Sequence, residues 1–271
     1  MSRPRAGAGV GPAGAAAAAA GPAAAGAAAA ARERAPGHLV EETPARVLAV
    51  YAHPDDADVS CGGTLARWAA AGAEVHVAVV TSGDKGSSDP GADPADLVTR
   101  RAGEMAEAAR VLGLVARHLL GHADGEVEND CALRQELVGL VRRVRPDVVV
   151  CPDPEAVLFG QDYVNHRDHR VVGWATLDAV APAAALPLYF PGAGPPHQVA
   201  TLYLSGTFEP DSWVDVSATI EQKARAVLCH RSQIGEAPEW MEEAVRRRAA
   251  EAGRRAGAAY AEGFRRLRLG G

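Results

Sequence analysis

Cysteine is sparse in this chain. Cys61, Cys131, Cys151 and Cys229 are spread through 271 residues with no C-x-x-C pair, which excludes a disulfide framework and a zinc knuckle and points to a reducing, cytoplasmic home. Runs of 18 strongly apolar residues are missing too, which excludes a membrane-spanning helix. An excess of basic charge is also lacking: the formal net charge is −6, with no pull toward nucleic acid or an anionic membrane. A small neutral or polar ligand is the expected partner. No leucine precedes Leu39 and serine is scarce among the early arginines, so neither a secretory signal nor a transit peptide is indicated. Residues 1–42, nearly all Ala, Gly and Pro, are expected to be a disordered tail outside the fold. Residues 43–235 then form one domain, and 236–271 a helical C-terminal extension whose arginines belong to a solvated face.

Within the domain, short apolar runs alternate with helical periodicity. Arg46 to Tyr51 and Glu74 to Thr81 read as buried strands, with a helix from Gly63 to Ala71 between them. After a Gly/Ser/Asp/Pro loop, Leu97, Arg101, Met105, Ala108 and Leu112 mark a helix stopped at Gly113. "RHLLG" is a third strand, Leu133 to Val144 a helix, and Asp147 to Cys151 an all-buried fourth strand. This β-α-β-α-β-α-β pattern predicts an α/β, Rossmann-like, mostly parallel sheet of order 3-2-1-4-5 with helices on both faces. "TLYLSG" and "WVDVS" add two strands, and a helix covers about Thr219 to His230.

In that topology ligands bind where the first and fourth strands end side by side. The first strand runs into "YAHPDDAD", a histidine and three carboxylates crowded together; the fourth leads to "NHRDH". Carboxylates this close repel unless they share a cation or a proton. Alone, "HPDD" is an Asp/Pro turn and "HRDH" an ordinary helix start; together at a switch point they read as a site. His53 and Asp56 can face one ion, with His169 as the third ligand of a catalytic zinc. Asp55 is placed to take a proton from attacking water. Asp168, if hydrogen-bonded to His166, favours an imidazolium that steadies an oxyanion or protonates a leaving amine. Arg101 is a candidate substrate contact.

These motifs, "AHPDDAD", "CGGTLA" and "HRDH", together with "TSGDKG", "DGEV" and "KARAVLCHRSQ", resemble those of the LmbE-like or PIG-L-like zinc deacetylases over about Arg46 to Gln233. The resemblance implies zinc on His53, Asp56 and His169, Asp55 as general base, His166 at the oxyanion, and hydrolysis of acetamides on N-acetylglucosaminyl compounds, small amino sugars or glycoconjugates. Two residues depart from the family pattern: Asp58 stands where glutamate is usual, and Arg167 where proline is frequent. Alternatives are hydrolysis of another amide, such as a thiol-cofactor conjugate, a nucleotide-binding module, or a metal-binding protein without catalysis. The second is weakened because no G-x-G-x-x-G follows the first strand and "SGDKGSS" is not a P-loop.

Overall fold

The computed structural model describes residues 38–235 and 238–270; most of the expected tail lies outside the described residues. The strands are β1 (His38–Leu39), β2 (Arg46–Tyr51), β3 (Glu74–Thr81), β4 (Ala116–His122), β5 (Val148–Pro152), β6 (Leu158–Phe159), β7 (Tyr163–Val164), β8 (Thr201–Ser205), β9 (Ser212–Asp215) and β10 (Ala261–Arg268). The helices are α1 (Asp56–Ala70), α2 (Pro94–Leu112), α3 (Cys131–Val144), α4 (Arg167–Asp178), α5 (Ile220–Val227), α6 (Arg231–Ile234) and α7 (Pro238–Ala256).

Successive side chains of a strand point to opposite faces, and β2 shows what that demands of its sequence. Val47, Ala49 and Tyr51 enter one core cluster, with Leu65 and Trp68 of α1 and Met105 of α2. Leu48 and Val50 enter another, with Leu137, Leu140 and Val141 of α3 and Val172 and Ala175 of α4. Both faces of the strand are dry, so an unbroken apolar run is the right sequence for it.

The sheet is mixed and eight-stranded, in the order β1-β9-β10-β8-β5-β2-β3-β4. The five-strand order expected from the sequence does not describe it by itself. β10 runs antiparallel to both β8 and β9, and so separates them. The expectation of a helix through the C-terminal residues is therefore corrected: α7 stops at Ala256 and Ala261–Arg268 is a strand. Its apolar members, Ala261, Phe264 and Leu267, follow no strand period, with Glu262 and Gly263 or two arginines between them; cross-strand pairing rather than alternation fixes it. Arg266, for instance, lies over the Tyr203 ring at 5.5 Å.

α1 begins at Asp56, seven residues before the expected Gly63, and is kinked at Cys61 (φ −142°, ψ 19°). The kink exposes a second set of helix N–H groups, which the Glu262 carboxylate of β10 accepts from Gly63 and Thr64 at 3.1 and 2.8 Å. Gly63 must be glycine here, because a Cβ would lie 2.9 Å from Val216. Among the described residues no helix is long and apolar enough to cross a membrane.

Candidate metal centre

β2 and β5 are neighbours in parallel, so the turns that leave their carboxyl ends meet. The first carries His53, Asp55 and Asp56 into the start of α1; the second carries His166, Asp168 and His169 into α4. His53 Nδ1 lies 3.1 Å from His169 Nε2 and 3.3 Å from Asp56 Oδ2, and His169 Nε2 lies 3.1 Å from Asp56 Oδ1. Three donor atoms thus converge on one point.

The opposite edges of the two rings decide what those atoms offer. His169 Nδ1 faces Asn165 Oδ1 at 2.9 Å, and His53 Nε2 faces Asp124 Oδ1 at 2.9 Å. Both partners only accept, so each ring places its proton there and turns a lone pair toward the other ring and Asp56. Two imidazole lone pairs and a carboxylate pointing at one another suit a cation. The donor set therefore fits a divalent metal of the N/O-binding kind. A broader grouping of His53, Asp124, His166 and Asp168 also lies within ligand reach.

The charges agree. Burial works against ionisation of Asp56, yet His169 and His53 hold its carboxyl well below the usual range. Asp124 and Asp168 are likewise held low against burial, Asp124 chiefly by its hydrogen bond to His53 and Asp168 by the nearby His53 ring and the Gly125 N–H. Asp168 is fully buried, and among the described residues its Oδ1 has no hydrogen-bond partner. The centre concentrates negative charge and lone pairs away from solvent.

Asp168 does not hold His166 as expected. Its carboxylate accepts the Gly125 N–H at 2.6 Å and lies 3.7 Å from His53 Nε2. What reaches His166 is the Asp168 backbone N–H, which donates to Nδ1 at 3.2 Å. That bond makes Nδ1 an acceptor and leaves the proton on Nε2. Burial, then His53 and His169, push the His166 pKa down, so these surroundings work against the expected imidazolium. Arg101 is buried, donating to Asp55 Oδ1 at 2.9 Å and to the Gly83 carbonyl at 3.1 Å. It contacts the site's carboxylate rather than open space.

Asp58 and Arg167, the two departures, both have work in the fold. Asp58 Oδ2 lies 2.6 Å from His230 Nε2, both buried, and Arg167 donates to the Val127 carbonyl and pairs with Glu128. Sequence reasoning gave no role to Asp124 or Asn165. Asp124 lies in the quoted "DGEV" after β4, a third strand end left out of the switch-point argument; Asn165 directly precedes "HRDH".

From Asp56 and His169 a cavity of about 350 Å³ extends under α7. Phe159 and Tyr163 of the β6–β7 hairpin, Phe208, and Arg248 of α7 line it. Phe159 packs on Phe208 with ring centroids 4.8 Å apart.

Comparison with known proteins agrees with this geometry. The model of the PIG-L family, described as GlcNAc-PI de-N-acetylase, matches residues 48–180. A diacetylchitobiose deacetylase of Thermococcus kodakarensis is 34% identical over 225 residues, covering 81% of this chain and 82% of that protein. A 1D-myo-inositol 2-acetamido-2-deoxy-alpha-D-glucopyranoside deacetylase of Rhodococcus jostii is 31% identical, covering 74% of this chain and 85% of its own length. Among solved structures, the N,N'-diacetylchitobiose deacetylase of Pyrococcus horikoshii superposes with a TM-score of 0.76 at 30% identity, covering 83% of this chain and 84% of that one. With its strand-end motifs matched and four-fifths of its length aligned to such a relative, the chain belongs to the PIG-L family of LmbE-like deacetylases.

Proposed function

We propose that this protein is a zinc-dependent hydrolase that removes the acetyl group from an N-acetylglucosaminyl-type amino sugar. The observation that carries the reading is the convergence of His53 Nδ1, Asp56 and His169 Nε2, with both imidazole protons drawn to the far side. His53, Asp56 and His169 would hold the metal. When bound, zinc supplies Lewis acidity toward the amide carbonyl and brings the pKa of water to about 7.

The remaining roles fall to the chain. Asp55 offers one oxygen to Arg101 and keeps the other to accept the proton of the water that attacks the carbonyl carbon. His166, with Nδ1 occupied by the Asp168 N–H, presents Nε2–H as a hydrogen-bond donor to the oxyanion. The C–N bond then breaks, acetate leaves, and the proton gathered by Asp55 goes to the amine nitrogen. A protein that only stored metal would need neither Asp55 nor His166.

The part of the substrate beyond the N-acetylated ring would lie in the cavity under α7, whose lining combines aromatic residues with charged groups of both signs and so suits polar rings. Much of that wall, from Ser205 to Gly263, lies beyond the region matched by the family model. The four free thiols support a reducing, cytoplasmic setting.

The test is mass spectrometry of N-acetylglucosamine and its neutral and anionic glycosides after incubation with zinc-loaded protein. Loss of one acetyl group from at least one compound, abolished by chelation and restored by zinc, is expected. No deacetylation of any compound by protein with zinc bound would overturn the reading.

A further inference from the structure

The segment "HRSQ", His230 to Gln233, reaches three separate parts of the molecule. The buried His230 pairs with Asp58 at 2.6 Å. Ser232 donates to Glu104 twice, from its backbone N–H to Oε1 at 2.8 Å and from its hydroxyl to Oε2 at 2.6 Å. Gln233 Nε2 donates to the Gly86 carbonyl at 3.1 Å.

These three acceptors share one relation to the site. Asp55, Arg101 and Gly83 form a unit, in which Arg101 bonds to the Asp55 carboxylate and to the Gly83 carbonyl. Asp58, Glu104 and Gly86 each lie three residues after one member of that unit. On α2 that spacing puts Arg101 and Glu104 on one face. On α1 it places Asp58 one turn beyond Asp55. In the loop, the Gly86 N–H bonds back to the Gly83 carbonyl at 3.3 Å. Arg101 itself is threaded between Gly83 and Gly86, where a side chain on either glycine would collide with the guanidinium. Its Nε has no hydrogen-bond partner among the described residues, so the guanidinium is held by its bonds to Asp55 and Gly83 together with the walls of this channel.

We propose that His230, Ser232 and Gln233 are positioning residues that orient Asp55 through α1, through Arg101 and through the Gly83–Gly86 turn. None of the three lines the cavity under α7, so replacing them removes no contact there, and the effect of these residues is expected on the chemical step. The proposal rests on reading Asp55 as the general base, a group whose misplacement by about 1 Å costs up to roughly 10² in rate.

The experiment combines Ser232→Ala and Gln233→Ala, singly and each with Asp55→Asn, in the zinc-loaded full chain. It measures zinc content, melting temperature, kcat and KM on an N-acetylglucosaminyl substrate. Ser232→Ala and Gln233→Ala are expected to keep zinc and KM while kcat falls between roughly 10- and 10²-fold. Ser232→Thr, which keeps the hydroxyl, should restore kcat. In the Asp55→Asn background neither substitution should lower the residual rate further, because residues that act as a unit are not additive. An unchanged kcat in both single variants, or a loss that multiplies with that of Asp55→Asn, overturns the proposal. Full turnover by Asp55→Asn alone overturns the general-base reading, and this proposal with it, and that single variant reports it separately.

Discussion

Adjacent residues of the same type face different partners at this centre. Asp56 turns both oxygens toward His53 and His169, whereas Asp55 faces Arg101. Asp56→Asn should therefore weaken metal binding, with activity recovering partly as free zinc is raised. Asp55→Asn should keep its zinc while turnover falls by roughly 10² to 10⁴, and excess zinc should not rescue it. Metal analysis beside kinetics on the two proteins checks both, and the reverse pattern would move the motif by one residue. Asp124→Asn tests the tautomer argument, because an amide can donate to His53 Nε2 and so draw the proton to the wrong nitrogen. Zinc affinity should drop by roughly 10- to 100-fold with the ligands intact, as read by titration against a chelator. Much of this centre was legible beforehand, since His53, Asp55 and Asp56 are contiguous and His166, Asp168 and His169 lie in one turn. Asp124 was not, because its contact with His53 spans 71 positions and no local pattern encodes it. The partner of His166 was misread for a related reason: it is a backbone N–H, which every residue but proline carries.

At the scale of elements, α1 depends on a strand nearly 200 positions away. Glu262 meets the N–H groups exposed by the Cys61 kink, and Lys223 of α5 meets Glu262 at 2.5 Å, with both side chains about 95% buried. Replacing Lys223 by methionine takes the lysine partner from a buried carboxylate, which keeps the helix N–H groups and the charge of Arg248 nearby. Removing one partner of such a pair costs about 3–5 kcal/mol, and a calorimetric Tm lower by roughly ten degrees is expected. An unchanged Tm would show that solvent reaches Glu262. α2 and α3 were readable from their apolar periodicity and their punctuation: Gly113 takes the left-handed conformation at φ 75°, and the Asp130 side chain accepts from the Leu133 N–H. The early start of α1 was hidden by Pro54 and the aspartates, which read equally as a turn. β10 was hidden because its pairing partners, not its own composition, make it a strand.

For the molecule as a whole, the residues of the candidate metal centre and most of the cavity wall come from different stretches of chain. Residues 48–180 match the family model and contain the six strand-end site residues, but the sheet continues through β8, β10 and β9, and α7 roofs the cavity. A chain ended at residue 235 would keep His53, Asp56 and His169 and lose the strand that pairs with both β8 and β9. It should be recovered insoluble or molten, with near-ultraviolet circular dichroism lost, because two strand edges are left open. A soluble, cooperative truncated protein would show that β10 is an addition to the sheet and not part of its frame.

The place of β10 also sets when the molecule can form. On the ribosome β8 and β9 emerge well before the strand that must lie between them, and at about 5–20 residues per second the interval lasts several seconds. During it β8 has its β5 neighbour but an empty flank, and β9 has no place in the sheet. The nascent protein therefore cannot close its sheet in the order it is made, and in those seconds a chaperone, or another nascent chain, finds β8 open.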